Sequence, residues 1–437
     1  MLQTGATRAM VIGGYGFIGA EAMRALADAG LEVIGLGRDA SFGARLIPQA
    51  EWRQADLATL GTPVAWQPLL DDIDIVVNAS GALQDAPGTS LERIQSTAIR
   101  TCIEAAETAG VRRFVQISAV GASEDASTAF LRTKARGDAA VRASSLDWTI
   151  LRPGLVIGSN AYGGTALLRM LAGVPGVQAL VLADAQIQTV AMRDVTHAIV
   201  LAATGQTPAR AQYDLVEPEV HSLSHVVGAL RRRLGFTEPL IKLSLPLWLG
   251  HLFALGADLA GWLGWRPALR STALVTLSEG IRGNAEPWEA ATGRRLSNLQ
   301  QTLADLPATL QERTFARVQL LLPLLVVTLS VFWVGTGIIA LLRNDEAAAQ
   351  LAGVVTASLA SALVVGGSLV DIVIGGALLV RRWTRAAAVA SAAVAAFYLM
   401  LGTALVPLLW LDPLGAYLKV LPCIVASAAL ALLLERR

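Results

Sequence analysis

A glycine-rich segment near the N-terminus has the residue types and spacing of a dinucleotide-binding loop. Three glycines form a G-x-x-G-x-x-G pattern between an apolar run at residues 8–12 and a helical pattern at residues 21–30. Glycine permits a tight turn and lets a pyrophosphate approach the backbone amides, and the helix N-terminus adds partial positive charge. The segment that we expect to bind a dinucleotide is Gly13, Gly14, Tyr15, Gly16, Phe17, Ile18 and Gly19.

Strand and helix patterns alternate through the first 150 residues, and helical periodicity is clearest at residues 94–109. The alternation predicts an α/β fold, a doubly wound parallel sheet of the Rossmann type. The ligand crevice of such a sheet lies at the carboxyl ends of its strands. The predicted strands are residues 8–12, 31–36, 51–55, 73–78, 113–118 and 146–151.

The end of the second predicted strand bears on the choice of cofactor. NAD-specific sites often have an acidic residue here, whereas Arg38 could form a bidentate contact with a 2′-phosphate. Asp39 lies one position later and is instead placed to cap a helix. We therefore expect NADP(H) to be favoured over NAD(H); the alternative is that Arg38 is a solvated loop residue.

Four motifs together resemble an atypical short-chain dehydrogenase/reductase. They are the glycine segment, Asp56-Leu57, Asn78-Ala79-Ser80-Gly81 and Leu151-Arg152-Pro153-Gly154. Within that superfamily, residues 8–310 resemble the branch related to the NADPH-binding accessory subunit of respiratory complex I.

This resemblance implies roles for individual residues. Gly13, Gly16 and Gly19 would hold the pyrophosphate, and Asp194 would be the N-cap of a helix that follows a strand near residue 190. The other implied cofactor contacts are Asp56 and Leu57 at the adenine, Ala79 and Ser80 along the cofactor, and Pro153, Gly154, Leu155 and Val156 under the nicotinamide.

The superfamily's catalytic residues are a serine and a Tyr-x-x-x-Lys pair, in which the tyrosine transfers a proton. Ser118 and Lys134 occupy the serine and lysine places, but Phe130 stands where the tyrosine belongs. We therefore expect carbonyl reduction to be absent or to use another acid, for which Tyr162 is a candidate. Lys134 is expected to contact the ribose and phosphate side of the cofactor, or else to be an exposed helix lysine.

Nucleic-acid binding and metal binding are both disfavoured. The net charge is +1 and no basic run is interleaved with aromatic residues, so no nucleic acid is expected. His221 and His225 follow Glu217 and Glu219, but Pro218 interrupts any helix that would align them, and we expect no metal site.

The last quarter of the chain predicts an all-α bundle of four transmembrane helices. Each of four long apolar runs exceeds the roughly 20 residues that cross a bilayer. The runs are residues 318–342, 356–380, 386–411 and 414–434. Basic residues at 313, 317, 381, 382, 385, 436 and 437 place the N-terminal domain and the C-terminus in the cytoplasm. Abundant alanine and scarce lysine indicate a bacterial protein, and hence the bacterial inner membrane.

This bundle resembles the DoxX-like family through residues 332–337, Asp371 with Gly375-Gly376, and residues 409–415. The resemblance implies a loose link to quinone and thiol redox systems. Asp371, an acid within a span, is a candidate to carry a proton or bind a polar head group; the alternative is a carboxyl group hydrogen-bonded between helices. A further apolar segment, residues 246–264, is expected to be a buried or interface-lying amphipathic helix.

The sequence therefore predicts a nucleotide-binding domain over residues 1–310, with a small mixed cap mainly at 155–310, followed by a membrane domain at 315–437. We expect a membrane-anchored NAD(P)H-binding oxidoreductase linked to quinone or membrane redox metabolism, with the lipid bilayer and a quinone or lipid-like substrate as partners. The alternative is a non-catalytic NADPH-binding module that serves assembly or redox sensing.

Overall fold

A computed structural model describes residues 7–85, 90–161, 163–351 and 354–434. The chain forms two compact units: residues 1–258 with 267–316, and residues 259–266 with 317–437. The strands are β1 Arg8–Ile12, β2 Glu32–Gly37, β3 Glu51–Gln54, β4 Ile75–Asn78, β5 Arg113–Ile117, β6 Asp147–Pro153, β7 Leu155–Ile157, β8 Val177–Val181, β9 Gln186–Ile187, β10 Thr189–Ala191, β11 Ala211–Leu215, β12 His221–Ser222 and β13 Ile241–Leu245.

A π-helical turn, Arg93–Thr97, leads directly into the fourth α-helix of the chain. The α-helices that lie mainly in the first unit flank the strands. They are α1 Phe17–Asp28, α2 Ala40–Leu46, α3 Pro63–Leu70, α4 Ala98–Ala109, α5 Ala129–Ala143, α6 Gly164–Gly173, α7 Met192–Ala203, α8 Leu223–Arg233, α9 Leu247–Trp262, α10 Ser271–Glu279, α11 Glu286–Thr292 and α12 Leu299–Ala304.

The main sheet has seven parallel strands in the order β3-β2-β1-β4-β5-β6-β11. Ala9 and Val11 of β1 pack into the core on one face, and Met10 and Ile12 pack into the core on the other. Burial on both faces is the reason that these strands appear as continuous apolar runs in the sequence. The strand order reverses between β1 and β4, so the crevice predicted for a ligand opens at the ends of these two strands.

The Rossmann-type prediction is confirmed, with two corrections. The seventh strand, β11, lies in a segment that had been assigned to the cap, and it pairs in parallel with β6 at the sheet edge. Asp194 is not an N-cap, because α7 begins two residues earlier at Met192 and Ala191 occupies the cap position. The Asp194 carboxylate instead accepts a hydrogen bond from the backbone amide of Ser297 at 2.7 Å.

The second unit is helical. Its helices are α13 Leu310–Leu342, which begins in the first unit, α14 Asn344–Ala349, α15 Ala357–Leu379, α16 Arg381–Leu405 and α17 Val420–Leu433. Three of them, α13, α15 and α16, are long and apolar enough to cross a membrane. Of the fourth predicted run only residues 420–433 are helical, because a 3₁₀ turn at Pro407–Leu411 and the left-handed Gly415 precede it.

The apolar segment at 246–264, predicted to be a buried or interface-lying helix, forms α9. Its large side chains are exposed; Leu252 is 58% exposed and Leu255 is 66% exposed. The buried alternative is therefore wrong for this face of the helix, and the interface-lying alternative stays a prediction.

Candidate functional site

The glycine segment forms a tightly packed turn between β1 and α1. Gly13 adopts a positive φ of 78°, and a Cβ placed there would lie 3.1–3.3 Å from the backbone of Ala79 and Ser80. A Cβ at Gly19 would collide with the carbonyl oxygen of Gly13. Helix α1 starts after an extended Gly16, and no side chain caps it. An uncapped helix N-terminus beside a turn without side chains fits a pyrophosphate.

Tyr15 contacts the backbone at the neighbouring end of β2. Its hydroxyl accepts hydrogen bonds from the backbone amides of Arg38 at 3.0 Å and Asp39 at 3.3 Å. The Tyr15 ring stacks on Trp52, with 5.9 Å between ring centroids. Tyr15 therefore fixes the backbone at the place where a ribose would be recognised.

Arg38 and Asp39 have different roles at this strand end. The Asp39 carboxylate accepts from the Ser41 hydroxyl at 2.7 Å and from the Phe42 amide at 2.9 Å, and so caps α2 as expected. These hydrogen bonds, with that of Ser41 foremost, lower the pKa of Asp39. The Arg38 side chain is exposed and has no hydrogen-bond or ion-pair partner among the described residues.

The loop after β4 is held by the buried Asn78. Its side-chain oxygen accepts from the Ser80 amide at 3.1 Å and the Ser80 hydroxyl at 2.6 Å, while its nitrogen donates to Gln116 at 2.8 Å. The Ala79 amide donates to the carbonyl of Ile12 at 3.0 Å. The loop therefore lies against the end of β1, beside the glycine turn.

Lys134 joins this loop to the end of β5. Its ammonium group is buried and donates to the carbonyl oxygens of Ser80 at 3.0 Å and Ile117 at 2.8 Å. Loss of hydration on burial lowers the pKa of Lys134 to about 8, although the nearby Asp138 carboxylate acts in the opposite direction. The expectation of an exposed helix lysine is therefore wrong.

Asp138 is a site residue that the sequence interpretation missed. It is fully buried one helical turn after Lys134, and its carboxylate accepts from the Ser118 hydroxyl at 2.6 Å and from Arg152 at 3.3 Å. Burial raises the pKa of Asp138, against the opposing effects of Ser118, Arg152 and Lys134. The available sequence signal was the spacing of four from Lys134, which puts both side chains on one helix face.

Gln95 was missed as well. It lies in the π-helical turn, where its amide nitrogen donates to the carbonyl of Ala82 at 2.5 Å and its oxygen accepts from Thr133 at 2.9 Å. π-Turns often mark functional sites because they turn a side chain out of the regular helical register. Here the turn connects the β4 loop to the helix that carries Lys134.

The residues expected near the nicotinamide follow β6. The Gly154 amide donates to Leu215 at 3.0 Å, and a Cβ at Gly154 would press on the carbonyl of Gln188. Leu155 and Val156 begin β7, which pairs in parallel with β10. Pro153 ends β6 next to Val120, whose amide donates to its carbonyl at 3.3 Å. These residues lie beside the strand end that carries Ser118.

Asp56, Phe130 and Tyr162 are the other residues that the sequence singled out. Asp56 caps the 3₁₀ turn Leu57–Thr59 by accepting from the Ala58 amide at 3.0 Å. Phe130 lies half-buried in the first turn of α5, one turn before Lys134. Tyr162 lies outside the described residues.

A cavity of about 740 Å³ opens beside this strand end. Its lining combines the apolar Val120, Leu131, Val220 and Ile281 with the polar or charged Gln188, Asp125, Glu279 and Arg282. A mixed lining of this kind can contact both the apolar and the polar parts of a ligand.

The acids and histidines after β11 come together, contrary to expectation. Glu217 is fully buried, and its carboxylate accepts from the amides of Thr189 at 2.9 Å and Leu299 at 2.6 Å and lies 3.1 Å from His221. The ring of His225 stacks on His221. No group of three metal-ligating side chains occurs in the described parts of the chain.

Within the second unit, Asp371 is half-buried on α15. Its carboxylate accepts a hydrogen bond from the Tyr398 hydroxyl of α16 at 3.1 Å. Nearby helices are also joined by polar contacts, from the Trp333 indole to Ser391 and from Ser391 to Ser427, each at 2.7 Å. Asp371 thus has a hydrogen-bond partner between helices.

Both parts of the chain match known protein families. Residues 13–170 match the family described as NAD(P)H-binding, and residues 330–428 match the DoxX-like family. The chain is 26% identical over 243 residues to a ceramide reductase of Caulobacter vibrioides, covering 52% of this chain and 73% of that protein. It is 26% identical over 226 residues, with the same two coverages, to an NAD(P)H azoreductase of Xenophilus azovorans.

Solved structures share the fold. Triphenylmethane reductase of Citrobacter sp., complexed with NADP(H), superposes with a TM-score of 0.53 at 17% identity, over 69% of this chain and 100% of that chain. An NADPH-dependent quinone oxidoreductase from Escherichia coli gives 0.51 at 18% identity, over 68% and 98%. The chain therefore combines an NAD(P)H-binding domain like that of short-chain dehydrogenases/reductases with a DoxX-like membrane domain.

The lowered pKa of Lys134 predicts a pH-dependent contribution to stability. Between about pH 8 and the ordinary value of 10.5, the unfolded chain holds a proton that the folded chain has released, so stability rises with pH. We expect the free energy of unfolding of the nucleotide-free chain, minus that of Lys134→Met, to increase by up to about 2 kcal/mol between about pH 7 and pH 9.5. Denaturation of both proteins in detergent measures this difference. The exposed Lys242→Met is the matched control, and a difference that does not change with pH would contradict the prediction.

Proposed function

We propose that the chain is a membrane-anchored NAD(P)H-dependent oxidoreductase that reduces an apolar acceptor, a quinone or lipid-like molecule, drawn from the membrane. The observation that carries the proposal is the Lys134 site, where the glycine turn, the β4 loop and the end of β5 meet. A cavity of mixed lining opens at Val120, three residues after β5. The presence of a DoxX-like membrane domain in the same chain supports an acceptor from the bilayer. The relatives described as a ceramide reductase and a quinone oxidoreductase are consistent with it.

The chain's own residues would hold the reactants rather than supply a proton. Bound NAD(P)H supplies a hydride. We infer that residues 13–19 bind the pyrophosphate and that Lys134, through the Ser80 carbonyl, positions the loop along which the cofactor lies. Reduction of a quinone requires one hydride and one proton, and the proton can come from water. Phe130 in the tyrosine position is therefore compatible with quinone reduction, although it disfavours reduction of a simple ketone.

The finer assignments belong to the same proposal. Asp56 and Leu57 would contact the adenine, and residues 153–156 would lie under the nicotinamide. We propose four spans, with residues 1–310 and the C-terminus in the cytoplasm of a bacterium, where NADPH is available. The basic residues between α15 and α16 support this orientation.

A second candidate function is a non-catalytic NADPH-binding module for assembly or redox sensing. Two observations favour it: position 130 offers no hydroxyl, and the Ser118 hydroxyl donates to the buried Asp138 at 2.6 Å. The single hydroxyl proton of Ser118 is thus already engaged in a hydrogen bond. The resemblance to the accessory subunit of complex I also favours this second candidate.

The cofactor preference can be tested at Arg38. Arg38→Ala removes the guanidinium group that we propose binds the 2′-phosphate. Affinity for NADP⁺ should therefore fall by about ten-fold or more, while affinity for NAD⁺ changes little. The exposed Arg45→Ala, on the adjacent α2, is the matched control and should leave both affinities unchanged. Titration calorimetry on the full chain measures both values. Equal losses for the two nucleotides would contradict a 2′-phosphate contact.

The two candidate functions differ in turnover. We expect the full chain in lipid nanodiscs to oxidise NADPH when a ubiquinone analogue is added and to form quinol in equal amount. Gly16→Asp, which places a carboxylate where the pyrophosphate would bind, should abolish both nucleotide binding and turnover. Tight NADPH binding without turnover, either with the quinone or with inner-membrane lipid extract, would reject the reductase and support the non-catalytic module.

A further inference from the structure

Helix α9 has an unusual distribution of side chains. Five large apolar residues recur at helical spacing on one face, and each of the five is more than half exposed. They are Trp248, Leu252, Leu255, Leu259 and Trp262. On the opposite side the small residues Gly250, Ala254 and Gly261 are buried, whereas Phe253 is 55% exposed. A helix on the surface of a soluble domain has the reverse arrangement, with its large apolar side chains inward.

The exposed stripe continues onto the preceding strand. Ile241 and Leu243 of β13 are 52% and 47% exposed, and Leu240 just before the strand is also exposed. We call residues 240–243 together with the exposed face of α9 the α9–β13 surface. Exposed large apolar side chains in this number indicate contact with a membrane or with another protein.

The exposed charged side chain on the α9–β13 surface is that of Lys242, and lysine side chains are compatible with the lipid headgroup level. The acidic residue of α9, Asp258, is held on the inner side by three donors: Arg270 at 3.0 Å, Ser271 at 2.5 Å and Gln84 at 3.0 Å. Its carboxylate is therefore neutralised by the protein. The helix thus offers large apolar residues outward without an unpaired carboxylate among them.

The C-terminal end of α9 indicates what covers the surface. Residues 259–266 belong to the membrane unit. There the Trp265 indole donates to the carbonyl of Leu379 at 2.7 Å, and the Arg381 amide donates to the carbonyl of Leu263 at 2.9 Å. Leu379 and Arg381 form the junction between two candidate spans, α15 and α16.

This junction has the composition of a membrane–water boundary. Arg381, Arg382 and Arg385 are clustered in the first turns of α16, and the Arg381 guanidinium lies over the Trp265 ring at 5.4 Å. Tryptophan and arginine concentrate at the lipid headgroup level. The polypeptide that continues from α9 is therefore fixed at that level.

We propose that the α9–β13 surface lies in the headgroup region of the bilayer that holds the chain's own spans. Trp248 and Trp262 suit the two ends of a helix lying at an interface, and a helix of this kind is buried about 5–10 Å deep, at the boundary between headgroups and acyl chains. The inference does not depend on whether the first unit is catalytic.

Nitroxide labels at single cysteines test the placement in the full chain. The labelled variants are Leu252→Cys and Leu255→Cys in a Cys423→Ser background, since Cys102 is fully buried. The matched control is Val64→Cys, an equally exposed apolar position on α3, at 68% exposure. Each protein is reconstituted as one chain per nanodisc of phosphatidylethanolamine and phosphatidylglycerol. The measurement is relaxation of the nitroxide by oxygen, which dissolves in lipid, and by a water-soluble nickel chelate.

The proposal predicts that labels at 252 and 255 are relaxed strongly by oxygen and weakly by nickel, whereas the label at 64 shows the reverse. Strong relaxation by nickel at 252 and 255 would show that the surface faces water and would overturn the proposal. Weak relaxation by both reagents would show that protein covers the surface and would also overturn it.

Discussion

The rest of the candidate site depends on the hydrogen bonds that the buried Lys134 ammonium group donates. It reaches from α5 to the carbonyls of Ser80 and Ile117, and so connects the loop after β4 with the end of β5. Parallel strands end with unpaired carbonyls at one edge of the sheet, and a buried cation needs such acceptors. Because the burial is costly, the pKa of Lys134 falls, and Asp138 one turn later offsets part of the cost. The Asp138 carboxylate in turn accepts a hydrogen bond from the Ser118 hydroxyl.

This arrangement limits the chemistry that the first unit can perform. Lys134 donates hydrogen bonds to two backbone carbonyls, and the Ser118 hydroxyl donates one to a carboxylate. The Phe130 side chain has no acidic proton. The described residues at this strand end are therefore better suited to positioning a nucleotide than to donating a proton, which is the reason that we favour an acceptor able to take its proton from water. The DoxX-like membrane domain in the same chain supports our proposal that the bilayer supplies this acceptor.

The sequence predicted the parts of the molecule that follow from local pattern. The buried strands are apolar runs, and the glycine turn requires Gly13 and Gly19 for steric reasons, so both could be predicted from residue type and spacing. The partners of Lys134 could not, since they are backbone carbonyls brought close only by the sheet. Asp138 carried a weak signal in its spacing. The sequence left α9 either buried or interface-lying, because an apolar helix has the same composition whether it faces a core or lipid.

Identification of the bound nucleotide tests the central claim most directly. The full chain is purified in mild detergent and denatured, and the released nucleotide is identified by mass spectrometry together with its redox state. The account predicts NADPH or NADP⁺ in a near-stoichiometric amount from the native chain and none from Gly16→Asp. If the native chain released no nucleotide and bound neither NADPH nor NADH on titration, the glycine turn would not be a cofactor site and the proposed function would be wrong.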